Sequence, residues 1–344
     1  MSNVLQPFEG DIRSQTYLPA DPSAVLWGRL PCATDSPVLT IGSGTEVTVD
    51  TISHEGILED QGRDPVAFFG QYGATEVLKD AVALAASDYD RADGGPHVVT
   101  GPIFVNGALP GDLLKITVLE TLERVPYGVI SNRHGRGALP GEYEPFSVFA
   151  TADDGYGSLP TAGRPVRFPL HPFLGIMGVA VSGSTRPHSV PPGPHGGNID
   201  INLLTVGSSL YLPVQVAGAL AYVGDPHFAQ GDGEVALTAM EASLRATLRF
   251  EVVPHSASVA MFGELVGPLA ETGEYLVPTG MNEDLDLAVQ DCVRAAIALI
   301  QARWGLDAQH AYAYLSAATD FNISQVVDLV KGVHARVRKS DFEL

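Results

Sequence analysis

The sequence predicts an α+β protein that is mainly β, with a β-rich body and helices gathered at its C-terminal end. Three observations carry this. Short apolar runs are punctuated throughout by turn formers, 37 Gly and 25 Pro in 344 residues, a composition that favours many strands and tight turns. The strongest helical repeat falls late, at 283–303. No internal repeat and no clear linker divides the chain, so residues 1–344 read as one domain with a helical part at about 283–335. With 45% hydrophobic residues and a mean hydropathy of +0.12, such a domain can bury a substantial core.

The elements follow in order. Ala24-Val-Leu-Trp-Gly and Val38-Leu-Thr-Ile are short strands, and Thr45-Glu-Val-Thr-Val-Asp-Thr alternates as a half-buried strand does. A helix is expected over 75–88, capped by Thr75, with Val77, Leu78, Ala81, Val82 and Ala85 on one face. Residues 100–119 read strand, turn at Pro110-Gly-Asp, strand. Residues 126–166, with Gly and Pro throughout, predict a long surface excursion or lid. Ile201–Gly224 is uncharged and reads as two buried strands forming an antiparallel hairpin. Residues 224–234 read as a loop. Val235–Phe250 begins with helical character and finishes as a strand, alternating cleanly from Leu244. In 283–303, Leu285, Ala288, Val289, Cys292, Ala295, Ala296 and Leu299 follow the helical repeat and Gly305 supplies a stop. Two more helices are expected at about 307–318 and 323–331, capped by Asp307 and Asn322.

Charge narrows the function. A net charge of -20 repels phosphate backbones and anionic lipid heads, which argues against nucleic-acid and membrane partners. Asn202, Ser208, Ser209, Pro213 and Gln215 interrupt the uncharged segment 201–224, so it is not read as a membrane span. Two cysteines, Cys32 and Cys292, exclude a disulfide scaffold as the organising principle. No basic region followed by an apolar core opens the chain, and a cytoplasmic protein is expected.

The chemistry concentrates in Gly224-Asp-Pro-His-Phe-Ala-Gln-Gly-Asp-Gly-Glu. Asp225 and His227, two apart, share a face in extended chain and could reach one cation. Zinc takes such nitrogen and carboxylate ligands, and a catalytic zinc keeps a position open for water. His195 and His97 could complete the shell. The alternative is a structural histidine bonded to Asp225. Glu234 could move protons if burial raises its pKa, with Asp232 and Gln230 beside it; a solvated turn is the competing reading of Asp232. Gly196, Gly197 and Asn198 could present donors to an oxyanion, or simply form a tight loop. A second polar segment holds His54, Glu55 and Asp60, and Asp200 closes the loop that begins near His195. No activated cysteine, no Gly-x-Ser-x-Gly and no phosphate loop accompany these groups.

Taken together, Pro194-His-Gly-Gly-Asn-Ile-Asp, Leu210-Tyr-Leu-Pro-Val, Gly224-Asp-Pro-His-Phe-Ala-Gln-Gly-Asp-Gly-Glu-Val, Thr100-Gly-Pro-Ile, Ala108-Leu-Pro-Gly-Asp and Phe173-Leu-Gly-Ile-Met-Gly-Val-Ala resemble the acetamidase/formamidase family over roughly 20–335. That resemblance implies a layered β/β/α fold and hydrolysis of short, linear, non-peptide carboxamides to acid and ammonia. It also implies a divalent metal, with zinc as first choice and calcium or another divalent ion as alternatives, and a homo-oligomer, dimer or higher. By position, His195, Asp200, Asp225, His227, Gln230, Asp232 and Glu234 match its motif residues. The expected roles are metal binding by His97, His195, Asp225 and His227, proton transfer by Glu234 with Asp232 and Gln230, and oxyanion binding by Gly196, Gly197 and Asn198. His54, Glu55, Asp60 and Asp200 form a second tier. Two stretches depart from the family pattern, Ala236-Leu-Thr-Ala and the Ser53–Gly62 loop. Residues 236–239 and the 126–166 excursion leave open a cyclic imide, lactam or carbamate as substrate. A non-catalytic small-molecule-binding module is the remaining alternative, disfavoured because a binder has no need of Glu234.

Overall fold

The computed structural model describes residues 4–91 and 93–342. Two large sheets dominate it. The first has nine strands in the order Thr16–Leu18, Thr45–Asp50, Leu244–Val253, Leu113–Glu123, Ser209–Pro213, Leu269–Glu271, Tyr275–Asn282, Lys331–Arg338 and Asp320–Gln325. The second has eleven. Its main path runs Val166–Pro169, Tyr156–Leu159, Ser147–Asp153, Tyr127–Ser131, Met240–Glu241, Ala221–Ala229, Phe173–Gly178 and Gly196–Asn198. Val98–Asn106 pairs with Ala221–Ala229 and carries Val25–Trp27 and Leu39–Gly42.

The layering follows from alternation within the nine-stranded sheet. Leu114, Leu210, Leu212, Ala270 and Val277 join one continuous core with Val98, Ile103, Leu174, Met177, Ala221 and Val223 of the other sheet. Their immediate neighbours Leu113, Tyr211, Leu269 and Leu276 turn the other way and pack with Phe262 and Leu299 of the helices. Successive side chains on a strand point to opposite faces, so one sheet serves two cores. The arrangement is therefore β/β/α, as the fold class predicted.

The late helices form where the repeat places them. Leu285–Trp304 buries Ala288, Cys292, Ala296, Leu299 and Ile300; the Asp284 carboxylate accepts from the Leu287 N–H, and Gly305 stops it at φ 73°. Ala308–Ala318 follows, with Asp307 accepting from the Gln309 and His310 N–H groups. Gly280 allows the close approach of strand to helix: a Cβ there would stand 2.1 Å from the Ala288 carbonyl oxygen.

Several local expectations are corrected. The uncharged segment 201–224 is not a hairpin: Ser209–Pro213 enters the nine-stranded sheet and Ala221–Ala229 the eleven-stranded one. Residues 224–229 continue that second strand rather than forming a loop, because Phe173–Gly178 on one side and Val98–Asn106 and Met240–Glu241 on the other supply its hydrogen bonds. The 126–166 excursion is built of four strands, Tyr127–Ser131, Ser147–Asp153, Tyr156–Leu159 and Val166–Pro169. Residues 323–331 form no helix. They complete the strand Asp320–Gln325 and turn into Lys331–Arg338, so Asn322 lies in a strand. Residues 235–239 are turn, not helix, and the helix expected at 75–88 is Lys79–Ala85 with Leu78, not Thr75, at its N-cap.

Candidate active site

Eight buried titratable side chains converge at the middle of the eleven-stranded sheet: His54, His97, Asp200, Asp225, His227, Glu234, Glu241 and Asp328. The Ala221–Ala229 strand organises them. His227 lies opposite Phe173 on one neighbour and opposite Glu241 on the other. The register with Phe173–Gly178 places Asp225 across from Gly175. His97 leads into the Val98–Asn106 strand, and Asp200 follows Gly196–Asn198. His54 and Glu55 come from the buried segment after Thr45–Asp50, and Asp328 from the turn before Lys331–Arg338.

Three of these carboxylates sit on left-handed backbone, Asp200 and Glu234 at φ 48° and Asp225 at φ 50°. A non-glycine residue held there costs on the order of 1–3 kcal/mol and persists only where its surroundings over-determine it. The strain aims side chains at one point that an unbroken strand would have alternated.

The imidazole–carboxylate contacts are close but are not hydrogen bonds. His227 Nε2 is 3.1 Å from both Asp225 Oδ2 and Glu241 Oε1, and its Nδ1 is 3.9 Å from Asp200 Oδ1. His54 Nδ1 is 3.6 Å from Asp225 Oδ1 and 3.8 Å from Glu241 Oε2. His97 Nε2 is 3.8 Å from Asp225 Oδ1, while its Nδ1 pairs with Ser189 Oγ at 3.1 Å. Yet both ring nitrogens of His54 and of His227, both oxygens of Asp200, Asp225 Oδ1 and Glu241 Oε2 are buried without a hydrogen-bond partner. Burying this many unsatisfied polar atoms is expensive.

A cation bound here would remove that cost. Nitrogen and oxygen ligands about 2.0–2.2 Å from one tetrahedral ion stand roughly 3–4 Å from each other, the spacing seen here. The ligand atoms form three overlapping groups, His54–His97–Asp225, Asp225–His227–Glu241 and Asp200–His227–Glu234, each with its atoms within 4.8 Å of one another. The donor set fits a divalent ion with nitrogen and oxygen preferences.

The protonation pattern shows the same excess of acid. Burial, reinforced by Asp200 and Asp328, pushes the Glu234 carboxyl well above the ordinary range. Burial takes Asp200 to about 8 and raises Glu241 and Asp328 as well. Asp225 goes the other way: burial opposes its charge, but His97 and His227 prevail and hold it well below the usual value. Burial works against the charged form of His227, yet Glu241 and Asp225 hold its pKa well up. Burial drives His97 down to about 4.

A cavity of about 720 Å³ opens onto this cluster. His54, His97, Asn198, Asp225, Glu234 and Glu241 line its polar end. A groove of about 840 Å³ between His255–Phe262 and Leu285–Trp304 meets none of the three ligand groups.

The structure gathers His54, His97, Asp200, Asp225, His227 and Glu234 into the ligand groups and puts the other expected residues to different uses. Asp232 faces outward, accepting from Asn202 at 3.0 Å and Asn322 at 2.7 Å and pairing with Arg336. Gln230 donates to the Asp200 and Ser324 carbonyls and so braces the loop that carries Asp200. His195 is buried, with burial lowering its pKa to about 4, but joins none of the three ligand groups. The Gly196 N–H is engaged by the Gly193 carbonyl at 2.9 Å, and Gly197 pairs with Met177. Asn198 does face the cavity, its Oδ1 buried and unpartnered. Glu55 backs His54 at 3.4 Å and pairs with Arg133 at 3.2 Å, whereas Asp60 lies exposed at the rim.

Glu241, Asp328 and Arg133 went unread in the sequence. Glu241 is the single charged residue between Glu234 and Arg245, and Asp328 is the single acid within Val326-Val-Asp-Leu-Val. A lone carboxylate inside an apolar run was the available signal.

Residues 183–337 match the Acetamidase/Formamidase family. The resemblance to that family is established. An acetamidase of Mycolicibacterium smegmatis is 30% identical over 212 residues, 44% of this chain and 52% of its own length. A formamidase of Methylophilus methylotrophus is 28% identical over 193 residues, 40% of this chain and 47% of its own. The crystal structure of an acetamidase from Bacillus halodurans superposes with a TM-score of 0.77 at 26% identity, covering 95% of this chain and 99% of that one. The matched stretches span 47–61% of the lengths of the curated acetamidase/formamidase relatives. The family match takes in Asp200, Asp225, His227, Glu234, Glu241 and Asp328; His54 and His97 lie outside it.

Proposed function

We propose that the protein hydrolyses a non-peptide carboxamide to a carboxylic acid and ammonia with the help of a divalent cation, zinc being the first candidate. The observation that carries this is the His54–His97–Asp225 group, two imidazoles and one carboxylate opening onto the cavity with Glu234 beside them. The names of the relatives support the reaction class.

When bound, a divalent ion polarises a carbonyl oxygen and makes an adjacent water more acidic. His54, His97 and Asp225 would hold it at the cavity, while His227, Glu241 and Asp200 form the layer behind. The Glu234 carboxylate takes the proton of the attacking water and returns it to the departing nitrogen, so that ammonia leaves and the carboxylic acid remains. Burial raises its affinity for a proton, and a dication held beside it would lower that affinity and make the carboxylate form available. Asn198 Oδ1, unpartnered and facing the cavity, accepts from the substrate amide N–H and orients the carbonyl.

Ammonia release from formamide, acetamide and longer linear amides, together with ring opening of a cyclic imide and a lactam followed by chromatography of the opened product, tests the reading before and after dialysis against a chelator. Expected are turnover of at least one linear amide, metal near stoichiometric with the chain by mass spectrometry, and loss of rate on chelation that returns with added ion. Full activity in metal-free protein would remove the cation from the mechanism. A ring opened in preference to every linear amide would move the substrate class.

Glu234→Gln separates proton transfer from ligation. As proton carrier, Glu234 should lose about 10²–10⁴-fold in kcat on this change with KM little altered and metal content kept. Loss of metal instead would make Glu234 a ligand, and a rate within threefold of the parent would exclude both roles.

A further inference from the structure

One wall of the cavity carries a guanidinium whose hydrogen-bonding capacity is mostly unspent. Arg133 begins the short turn Arg133–Gly135 after the Tyr127–Ser131 strand, and its backbone N–H donates to Ser131 Oγ at 3.0 Å. The residue is 9% exposed. One terminal nitrogen, Nη2, pairs with Glu55 Oε1 at 3.2 Å. Its Nε and Nη1 are buried with no hydrogen-bond partner. A guanidinium is charged at every working pH and offers five N–H donors. Leaving two of its nitrogens bare and buried costs free energy unless a ligand supplies acceptors.

The position says which part of a ligand it meets. Glu55 Oε1 stands between the two centres, 3.2 Å from Arg133 and 3.4 Å from His54 Nε2. Arg133 is therefore one carboxylate removed from the His54–His97–Asp225 group. It addresses atoms a few bonds from a carbonyl held there, not the carbonyl itself.

The cavity has room for such atoms. Its volume of about 720 Å³ falls within the roughly 300–1,000 Å³ of pockets that enclose drug-sized ligands, far more than formamide or acetamide fills. Leu58, Leu237, Val327 and Leu329 give it apolar sides suited to a short methylene chain, and Arg136 adds a second guanidinium. Of the acids at the mouth, Glu59 is paired with Arg91 and Asp93 with Arg29, and Asp60 stands beside them at the exposed rim. On a chain of net charge -20, a buried guanidinium with free donors is the feature able to select an anion.

We propose that Arg133 is a specificity-determining residue that anchors a carboxylate carried by the amide substrate a few carbons from the scissile carbonyl. The substrate class is then a short monoamide of a dicarboxylic acid. This rests on the amidase reading above, whose reaction it leaves unchanged.

The test uses the protein as purified with its metal and reads binding as well as turnover. Calorimetry compares succinate with butyrate and glutarate with valerate, pairs that differ in a second carboxylate. Turnover compares succinamate with butyramide. The expected result is that each dicarboxylate binds about tenfold or more tighter than its partner, as a charge-assisted pair would give, with the same preference in kcat/KM. Arg133→Met should abolish both preferences, bringing the succinate-to-butyrate affinity ratio and the succinamate-to-butyramide kcat/KM ratio to about one. Arg133→Lys keeps the charge beside Glu55 and should retain part of the preference, and a melting curve shows that each variant is folded.

Equal binding of mono- and dicarboxylate by the parent protein would overturn the anchor. So would equal weakening of both in Arg133→Met, which would instead mark Arg133 as a positioning residue acting through Glu55. A carboxylate preference that depends on Arg133 without turnover of any amide would keep the anchor and reject the amidase reading. Turnover of butyramide with no acidic preference would do the reverse.

Discussion

Gly175→Ala is expected to abolish turnover and metal uptake together while the protein still folds. Gly175 lies in the Phe173–Gly178 strand, opposite Asp225. A Cβ there would stand 2.4 Å from Asp200 Oδ1, 2.6 Å from His227 Cε1 and 2.8 Å from Asp225 Oδ2. All three are shorter than non-bonded atoms tolerate, and all three neighbours belong to the ligand groups. The methyl group would occupy space over which these side chains approach one another. Overpacking of this kind costs typically 1–3 kcal/mol of stability, which a domain of this size survives. Displacing reacting groups by about 1 Å costs on the order of 10²-fold in rate, and here three side chains move at once. Steady-state kinetics, metal content and a melting curve check the outcome. A variant within a few-fold of the parent in rate and metal would mean that the cluster is not the reacting centre.

The largest effect on stability is expected at Arg124→Leu, a loss of about 3–5 kcal/mol, the usual consequence of breaking a buried ion pair from one side. Arg124 is fully buried. It lies 2.8 Å from Asp80 Oδ2 and 3.5 Å from Asp50 Oδ2, and it donates to the carbonyls of Leu5 and Thr51. Asp50 keeps Arg245, at 2.6 and 3.0 Å, when Arg124 is removed. Asp80 keeps no comparable partner. Burial already holds the Asp80 carboxyl above 3.8 against the pull of Arg124, and without the guanidinium it rises further. A carboxyl whose pKa is higher folded than unfolded loses stability as pH climbs from the unfolded to the folded value. The deficit of the variant should therefore grow from pH 4 to pH 7. Denaturant unfolding across that range measures it, and Arg124→Leu with Asp80→Asn should recover part of the loss. A deficit below 1 kcal/mol at pH 7 would show that water, not Arg124, compensates Asp80. Thr51 lies three residues before His54, so the same guanidinium steadies the segment that delivers that imidazole.

Elements with a clean local period were legible. Leu244–Val253 alternates and is a strand; Leu285–Trp304 repeats every three to four residues and is a helix with an Asp cap and a Gly stop. Residues 323–331 misled because Ile323, Val326, Val327 and Val330 also satisfy a helical spacing. Pairing between Asp320–Gln325 and Lys331–Arg338 overrode it, since β structure takes its hydrogen bonds from chain that is distant or still to come. The same limit hid the break at 201–224, where an uncharged run crosses from one sheet to the other.

What the sequence determined by itself was composition-level and local: a mainly β chain with late helices, an acidic surface, and a store of acid and imidazole in residues 195–234 whose motifs resemble acetamidases and formamidases. Which of those groups meet was a tertiary matter. The pairing of Ala221–Ala229 with Met240–Glu241 and Val98–Asn106 brings Glu241 and His97 to Asp225 and His227, and His54 arrives from the other sheet, on the segment after Thr45–Asp50. Asp232, two residues from Glu234, is sent to the surface by the same geometry. The physical reason is that sequence spacing sets a side chain's direction only within one regular element. The left-handed turns at Asp200, Asp225 and Glu234 break that regularity, and strain of this kind is held in place by the rest of the fold.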